Sequence, residues 1–321
     1  MTLETLQTFC ALHSTPGDEG EVFTELLQRW QRQGLDTQQI GHYAVVAQSG
    51  ERKKADTVLL LAHADSPGFI VQAVHSPTFL DVLVLGGIHP THDADLILKT
   101  ADGKFPARLH APDETLGWTR TMPLKVTLPA PLPSVQKGDR LCWAPRWEHS
   151  QNALKTPFLD NRIGCALIAD WFETCSQYFP NMNVVLAASA MEEVNGFGAN
   201  VLAKHVQADL VLVLDITYTD ERQNIALGQG PVITLSDASV LLSPACRDRI
   251  LAAPVALQTE VYNYSGTDAR AFPAQGFKTP AIPVLIPTEG NHSPEETLHP
   301  ADLNAWPQAL EAVANAMLAK D

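Results

Sequence analysis

Cysteine is scarce in this sequence and shows none of the spacings that organise a fold. The chain contains five cysteines, an odd number, scattered without a C-x-x-C pair: Cys10, Cys142, Cys165, Cys175 and Cys246. Disulfide-rich domains and thiolate zinc sites both need paired or closely spaced cysteines. The sequence therefore argues against a disulfide framework and against a zinc site built from thiolates.

Basic residues and long apolar runs are lacking as well. The chain has 22 Lys and Arg against 36 Asp and Glu, a formal net charge of −14, and the basic residues form no cluster. Nucleic acids and anionic membranes are not expected as partners, because binding phosphate needs concentrated positive charge. No apolar run is long enough to span a bilayer, and the N-terminal segment is acidic where a signal peptide would be basic. We therefore expect a cytoplasmic protein.

Short apolar runs alternate with helical patterns along the chain. Runs typical of strands buried on both faces occupy residues 57–62, 183–189, 210–215 and 281–286. Apolar residues at helical spacing occur at residues 22–30, 163–172 and 306–317. Buried strands that alternate with helices indicate helices packed on both faces of a sheet. We expect an α/β sandwich with a mostly parallel central sheet.

Residues 68–155 have a different character, with short alternating runs rich in Val, Leu, Pro and Gly and no long helical period. Ala101-Asp102-Gly103 is typical of a hairpin turn. We interpret this segment as a β-barrel-like domain inserted into the α/β domain, which then comprises residues 1–67 and 156–321.

Candidate metal ligands follow all four predicted strands. His63 and Asp65 come after the first strand, Glu192 and Glu193 after the second, Asp215 at the end of the third, and His292 after the fourth. Ligands of α/β sheets bind outside the carboxyl ends of the strands. The repetition at four strand ends predicts one shared site, although any single residue would more often be a surface histidine, a solvated glutamate or a helix cap.

Imidazole and carboxylate ligands without thiolate are typical of a catalytic zinc or cobalt centre with open positions for water. Two metal ions would need a bridging carboxylate, and Asp160 is the free candidate. Asp65 can hold the second ring nitrogen of His63. One carboxylate of the Glu192-Glu193 pair would bind metal while the other would hold water.

Other patterns are weaker. His89, His92, Asp93 and Asp95 have suitable ligand types, but they lie in the predicted insertion without a strand end, and a polar loop is the better interpretation. Gly228-Gln229-Gly230-Pro231 lacks the helix start and third glycine of a nucleotide loop. No serine has a G-x-S-x-G context.

An ordered set of motifs resembles the tetrahedral and glutamyl aminopeptidases, metallopeptidase family forty-two, over nearly the whole chain. The motifs are His63-x-Asp65-x-x-Gly68-Phe69, Gly86-Gly87, Leu159 to Cys165, Glu192-Glu193-Val194 with Gly198-Ala199, Asp215, Gly228-x-Gly230-Pro231-Val232, Gly266-Thr267-Asp268-Ala269 and Pro287 to Pro294. The resemblance implies an α/β metallopeptidase domain with a barrel-like insertion that builds oligomers, as dimers or dodecamers.

The resemblance also implies roles for single residues. One metal ion would be held by His63, Asp160 and Asp215, and a second by Asp160, Glu193 and His292, with Asp160 bridging. Glu192 would be the general base and Asp65 the orienting carboxylate. Apart from these implied roles, four residues are candidates for substrate binding: Gly266, Thr267, Asp268 and Glu289. The implied cofactor is two divalent ions, zinc with cobalt or manganese as alternatives.

The implied activity is removal of residues from the free N-terminus of short peptides. The chain departs from the family where Glu289-Gly290-Asn291 replaces an arginine-aromatic pair, where Asn195 replaces a glycine, and in its shorter insertion. These departures concern specificity and assembly, not the ligands. Two alternatives stay open: a deacylase or amidohydrolase of N-acyl amino acids or small dipeptide derivatives on the same metal centre, and a non-catalytic homologue.

Overall fold

The computed structural model consists of a helix-flanked β-sheet and a separate closed β-barrel. It describes residues 2–50, 55–112, 117–174, 176–277 and 281–319. The α-helices are α1 (Leu3–Ala11), α2 (Gly20–Arg32), α3 (Leu159–Ala169), α4 (Trp171–Thr174), α5 (Phe197–Leu202), α6 (Pro244–Leu251) and α7 (Pro300–Leu318). Short 3-10 helices occupy Ser176–Tyr178, Asp268–Ala271 and Pro273–Gln275.

The strands divide into a central sheet, a barrel and a small third sheet. They are β1 (Asp36–Ile40), β2 (Ala44–Gln48), β3 (Thr57–His63), β4 (Gly68–Ser76), β5 (Phe79–Leu85), β6 (Ala94–Thr100), β7 (Gly103–His110), β8 (Leu124–Thr127), β9 (Arg140–Trp143), β10 (Glu148–His149), β11 (Leu154–Thr156), β12 (Asn183–Ser189), β13 (Leu210–Tyr218), β14 (Val232–Ser236), β15 (Gln258–Val261), β16 (Ala281–Thr288) and β17 (Glu296–Leu298).

The four strands predicted from apolar runs are the parallel centre of the main sheet. The sheet has the order β1-β2-β12-β3-β13-β16-β14-β15. The neighbours β12 and β3, β3 and β13, and β13 and β16 are all parallel. Strands buried on both faces are apolar along most of their length. For this reason these four strands could be predicted from the sequence. The predicted α/β sandwich is confirmed.

Alternate residues of β3 supply the two hydrophobic cores of the sandwich. Val58 and Leu60 belong to the core beneath helices α1, α2, α3 and α7, whereas Leu59 and Leu61 belong to the core beneath α5. This alternation follows from the two-residue period of a strand. Two buried tryptophans tie the larger helical layer together, because Trp30 Nε1 donates to the Ile168 carbonyl and Trp306 Nε1 donates to the Val284 carbonyl, both at 2.8 Å.

The inserted segment forms a closed barrel with the strand order β4-β5-β8-β7-β6-β9. Its interior holds an apolar core separate from the two cores of the sandwich. Strands β6 and β7 form the hairpin expected at Ala101-Asp102-Gly103. The predicted barrel-like insertion is confirmed. Strand β11 does not join the barrel but pairs with β17, and the domain limits of 68 and 155 stay a prediction.

Two further features of the structure concern the cysteines and the length of the helices. Cys10, Cys142, Cys165 and Cys246 are free thiols, and Cys175 lies outside the described residues. Within the described ranges, no helix has both the length and the apolar character that crossing a membrane requires.

Candidate metal centre

The parallel strands bring the predicted ligands to one edge of the sheet. His63 is the last residue of β3, and Asp215 lies in the C-terminal half of β13. Glu193 follows β12, and His292 follows β16. Because these four strands are neighbours and run in the same direction, residues up to 229 positions apart in the chain meet at one edge.

The first ligand group consists of His63, Asp160 and Asp215, all of them buried. His63 Nε2 lies 3.0 Å from Asp160 Oδ1 and 3.3 Å from Asp215 Oδ1. The candidate ligand atoms of the three residues all lie within 4.8 Å of one another. One ring nitrogen therefore faces two carboxylate oxygens, which is the arrangement of three ligands around a common cation.

The second ligand group consists of Asp160, Glu193 and His292. His292 Nε2 lies 3.0 Å from Asp160 Oδ2 and 3.7 Å from Glu193 Oε2. Asp160 thus turns one oxygen toward each histidine. A carboxylate shared in this way is what two adjacent metal ions would need as a bridge.

Unpartnered oxygens show that these residues fit a cation. Asp160 Oδ1 and Glu193 Oε1 are buried without a hydrogen-bond partner in the described part of the chain. The nearest polar atom to Asp160 Oδ1 among the contacts described above is His63 Nε2, an ion-pair contact at 3.0 Å. Buried carboxylate oxygens are normally satisfied, so both atoms are explained if they bind divalent ions.

The charges of the site lead to the same conclusion. Burial, together with the charge of Asp160, raises the pKa of Glu193 well above its usual value. Burial alone would lower the pKa of His292, but the Glu193 and Asp160 carboxylates outweigh it and raise that pKa to about 10. The protein surrounds these groups with more negative charge than it can offset. Divalent cations would supply the missing positive charge.

Asp65 holds the loop that carries the two glutamates. Its Oδ1 accepts the Glu192 N–H at 3.0 Å and its Oδ2 accepts the Glu193 N–H at 3.1 Å. His63 Nδ1 lies 3.2 Å from the Asp65 backbone carbonyl and 3.6 Å from its carboxylate. A proton on Nδ1 would be held by Asp65, which leaves the lone pair of Nε2 directed at the ligand group.

Glu192 stands beside the ligands without belonging to either group. Its Oε1 accepts a hydrogen bond from Arg270 Nη2 at 2.6 Å. Burial, together with the nearby acids Asp268 and Asp215, raises the pKa of Glu192 to about 8. A carboxyl group with its pKa near neutrality and no metal to bind suits proton transfer.

The comparisons with known proteins agree with this geometry. A sequence profile of the M42 glutamyl aminopeptidases matches residues 133–308, more than half of the chain. The chain belongs to the M42 family. The matched segment includes Asp160, Glu192, Glu193, Asp215 and His292, whereas His63 and Asp65 precede it.

Relatives cover almost the entire chain at low identity. The putative aminopeptidase FrvX of Escherichia coli is 25% identical over 95% of this chain and 92% of its own length. The glutamyl aminopeptidase of Lactococcus lactis is 25% identical over 81% of each chain.

Solved structures show the same fold. An aminopeptidase from the archaeon Desulfurococcus kamchatkensis superposes with a TM-score of 0.85 at 20% identity, covering 99% of this chain and 95% of the other. The TET1 peptidase of Pyrococcus horikoshii gives a TM-score of 0.83 at 22% identity, covering 97% and 98%. These similarities confirm the resemblance found in the sequence motifs.

A cavity opens beside the ligands and includes part of the predicted substrate-binding set. Gly266 and Thr267 line it. Asp268 is buried next to it, where it accepts a hydrogen bond from the Ser189 hydroxyl. Glu289 is exposed, its backbone pairs with Thr297, and it is not among the residues that line this cavity.

Two acidic residues of the cavity were not predicted from the sequence. Asp237 and Glu260 line it together with the candidate ligands. Glu260 is buried and accepts hydrogen bonds from the hydroxyls of Thr217 and Thr234. Neither residue follows one of the four central strands, so the pattern that revealed the ligands could not reveal them.

The rival histidine cluster lies on the barrel side of the centre. His89, His92 and Asp93 line a neighbouring cavity that also includes His292. In the described parts of the chain, the two groups around Asp160 are the sets of side chains placed to share a metal ion. The structure therefore favours the interpretation of the cluster as a polar loop.

The backbone around the centre is unusual. Phe158, Met191 and His292 have positive φ angles of 73°, 59° and 65°. Left-handed backbone is costly for residues with a side chain and is concentrated at functional sites. Phe158 lies two positions before Asp160, and Met191 lies directly before Glu192. His292 is itself a candidate ligand.

Replacing Gly87 with alanine is expected to weaken binding of the second metal ion about 10- to 100-fold. A methyl group on Gly87 would overlap the His292 imidazole, so the ring would have to leave Asp160 and Glu193. Titration with zinc after chelation would measure the affinity. Gly20→Ala is the control, because nothing lies within 4 Å of its added carbon. Equal zinc affinity in Gly87→Ala and wild type would contradict the placement of His292.

Proposed function

We propose that the protein is a metal-dependent aminopeptidase that hydrolyses the N-terminal residue from peptides. The observation that best supports this function is the Asp160 carboxylate, which presents one oxygen to His63 and the other to His292. Membership of a family of peptidases supports the same activity. The cavity beside the ligands gives a substrate access to the centre.

Two divalent ions fit the side chains present. His63, Asp160 and Asp215 would hold the first, and Asp160, Glu193 and His292 the second. When bound, such ions would polarise the scissile carbonyl and make water a better nucleophile at neutral pH. Imidazole and carboxylate ligands suit zinc, cobalt and manganese, and we propose zinc as the native metal.

The side chain of Glu192 supplies the proton transfers. Arg270 donates a hydrogen bond to Oε1, and no hydrogen bond to Oε2 is found among the described residues, which leaves Oε2 for substrate and water. We propose that Glu192 accepts a proton from the attacking water and returns it to the amine nitrogen as the C–N bond breaks. Asp65 supports the reaction indirectly, because it fixes the Glu192 backbone and the His63 ring.

Substrate selection follows from the charge around the cavity. The lining includes Asp237, Glu260 and Glu192, and none of the described residues that line it is a lysine or an arginine. A free ammonium group at the N-terminus would be attracted to such a site, whereas an acylated terminus would not. We propose that Gly266 and Thr267 contact the substrate. Roles for Asp268 and Glu289 in binding stay predictions.

Treatment with a chelator is expected to abolish hydrolysis of aminoacyl amides, and adding zinc, cobalt or manganese back should restore it. N-acetylated versions of the same amides should be poor substrates with every metal, because they lack the free amine. Release of the amine from both series, measured with and without metal, tests these expectations. Preferential hydrolysis of the acetylated series would instead support the deacylase alternative. Failure to hydrolyse either series with metal bound would favour the non-catalytic homologue.

Assembly is the remaining part of the proposal. One structural neighbour is described as a dodecamer and another as a tetrahedron or a large octahedral shell. We propose that this chain also forms a homo-oligomer, a dimer or dodecamer, through the inserted segment 68–155, and that it acts in the cytoplasm on short peptides. Light scattering of the purified protein would give its subunit number.

A further inference from the structure

The loop that carries Glu192 is fixed through its backbone. Asp65 accepts the N–H groups of Glu192 and Glu193, and Glu19 Oε1 accepts the N–H of Met191 at 3.1 Å. All of these hydrogen bonds involve main-chain atoms. They place the Cα of Glu192, but they do not fix its three side-chain torsions.

The Glu192 side chain is mostly buried and accepts one hydrogen bond from the described residues. Arg270 Nη2 donates to Glu192 Oε1 at 2.6 Å. This distance is typical of a strong, charge-assisted hydrogen bond. No other described residue donates to the Glu192 carboxylate, which makes Arg270 the polar contact that can orient it.

Arg270 is itself held in place. Its Nε donates to the Thr267 carbonyl at 2.9 Å. Thr267 in turn begins the short 3-10 helix at Asp268, where its hydroxyl accepts the Ala269 N–H. The guanidinium is therefore anchored by its Nε to one wall of the cavity while its Nη2 reaches Glu192.

We infer that Arg270 is a positioning residue for hydrolysis, which fixes the Glu192 carboxylate so that Oε2 faces the substrate. The inference rests on the proposed function, because Glu192 is the base of that reaction. It assigns Arg270 no contact with substrate. A planar guanidinium suits this task, because Nε and Nη2 can bind two partners at a fixed separation.

Removing the guanidinium should lower kcat and leave KM unchanged. A misplacement of about 1 Å at a catalytic group can cost about 100-fold in rate, so Arg270→Met is expected to lower kcat about 10- to 100-fold. Arg270→Lys should recover part of the loss, because its ammonium can reach Glu192 but has no counterpart of Nε. Metal content and thermal midpoint should match those of the wild type.

The experiment combines these variants with Glu192→Gln in a double-mutant cycle. In the Glu192→Gln background, Arg270→Met should cause no further loss of kcat. Arg108→Met is the matched control, because Arg108 forms an exposed ion pair of the same length, 2.6 Å, with Asp95 in the barrel. That variant should keep the kcat and KM of the wild type.

Three results would overturn the inference. The first is a higher KM with unchanged kcat, which would make Arg270 a substrate-binding residue. The second is a loss of metal or of thermal stability in both Arg270 variants, which would make its role structural. The third is independent losses from Glu192→Gln and Arg270→Met that multiply in the double variant.

A crystal structure of Arg270→Met tests the inference without any turnover. The Glu192 side chain should leave the position that it has in the wild type. If it keeps that position, Arg270 does not orient it. Failure of the proposed function would look different, because the metal-loaded wild type would then hydrolyse no aminoacyl amide while Glu192 could still move in the variant crystal.

Discussion

Glu192→Gln is expected to lower kcat about 10²- to 10⁴-fold, the usual contribution of a general base. Glutamine has the shape of glutamate and can still accept the hydrogen bond from Arg270 through its carbonyl oxygen. It cannot accept a proton from water. Because Glu192 belongs to neither ligand group, the variant should bind metal as the wild type does.

Steady-state kinetics on an aminoacyl amide and elemental analysis of the same preparation would test this expectation. Glu148→Gln is a suitable control, because Glu148 is exposed on β10. A kcat within about threefold of the wild type would refute the role of Glu192, since a lost general base costs far more than that.

Asp160→Asn and Asp215→Asn are expected to differ in the number of metal ions that they lose. Asp160 contributes an oxygen to both ligand groups, whereas Asp215 contributes to the first group only. A neutral amide is a poorer ligand for a divalent ion than a carboxylate. The number of bound metal ions per chain should therefore decrease from about two to about none in Asp160→Asn, and to about one in Asp215→Asn.

Elemental analysis after dialysis against a metal buffer would measure these numbers. Asp95→Asn is the control, because Asp95 is exposed on the barrel. Equal metal loss in Asp160→Asn and Asp215→Asn would contradict a bridging role for Asp160. Both ligand variants should also lose activity to the level of the chelated wild type.

The sequence was most informative where burial dictates residue type. Strands β3, β12, β13 and β16 are covered on both faces, so each had to be a continuous apolar run, and each was predicted within three residues of its observed end. The edge strands β1 and β15 are partly exposed. Their mixed composition gave no comparable signal, and they were not predicted.

The candidate ligands could be predicted from the sequence for a related reason. Parallel neighbours place their carboxyl ends together, so a histidine or acid after each apolar run already implied proximity. His63 and His292, separated by 229 positions, are both within 3.0 Å of the Asp160 carboxylate. Their division into two groups came from the family resemblance, and the structure places the same residues in the same two groups.

The contacts of the supporting residues could not be predicted from sequence patterns. Arg270 is separated from Glu192 by 78 positions, and Glu19 from Met191 by 172. Gly87 belongs to a Gly-Gly motif noted in the sequence, but its position directly against the His292 ring became visible only in the structure. Contacts of this kind depend on how loops fold back over the edge of the sheet. Neither the periodicity of the sequence nor a position at a strand end predicts them.

Anomalous diffraction from crystals soaked in zinc tests the central claim most directly. Two peaks are expected, one among His63, Asp160 and Asp215 and the other among Asp160, Glu193 and His292, with the Asp160 carboxylate between them. Ligand distances should be near 2.0 to 2.2 Å, the usual range for zinc with nitrogen and oxygen. The absence of anomalous density at Asp160, with zinc bound elsewhere or nowhere, would contradict the account.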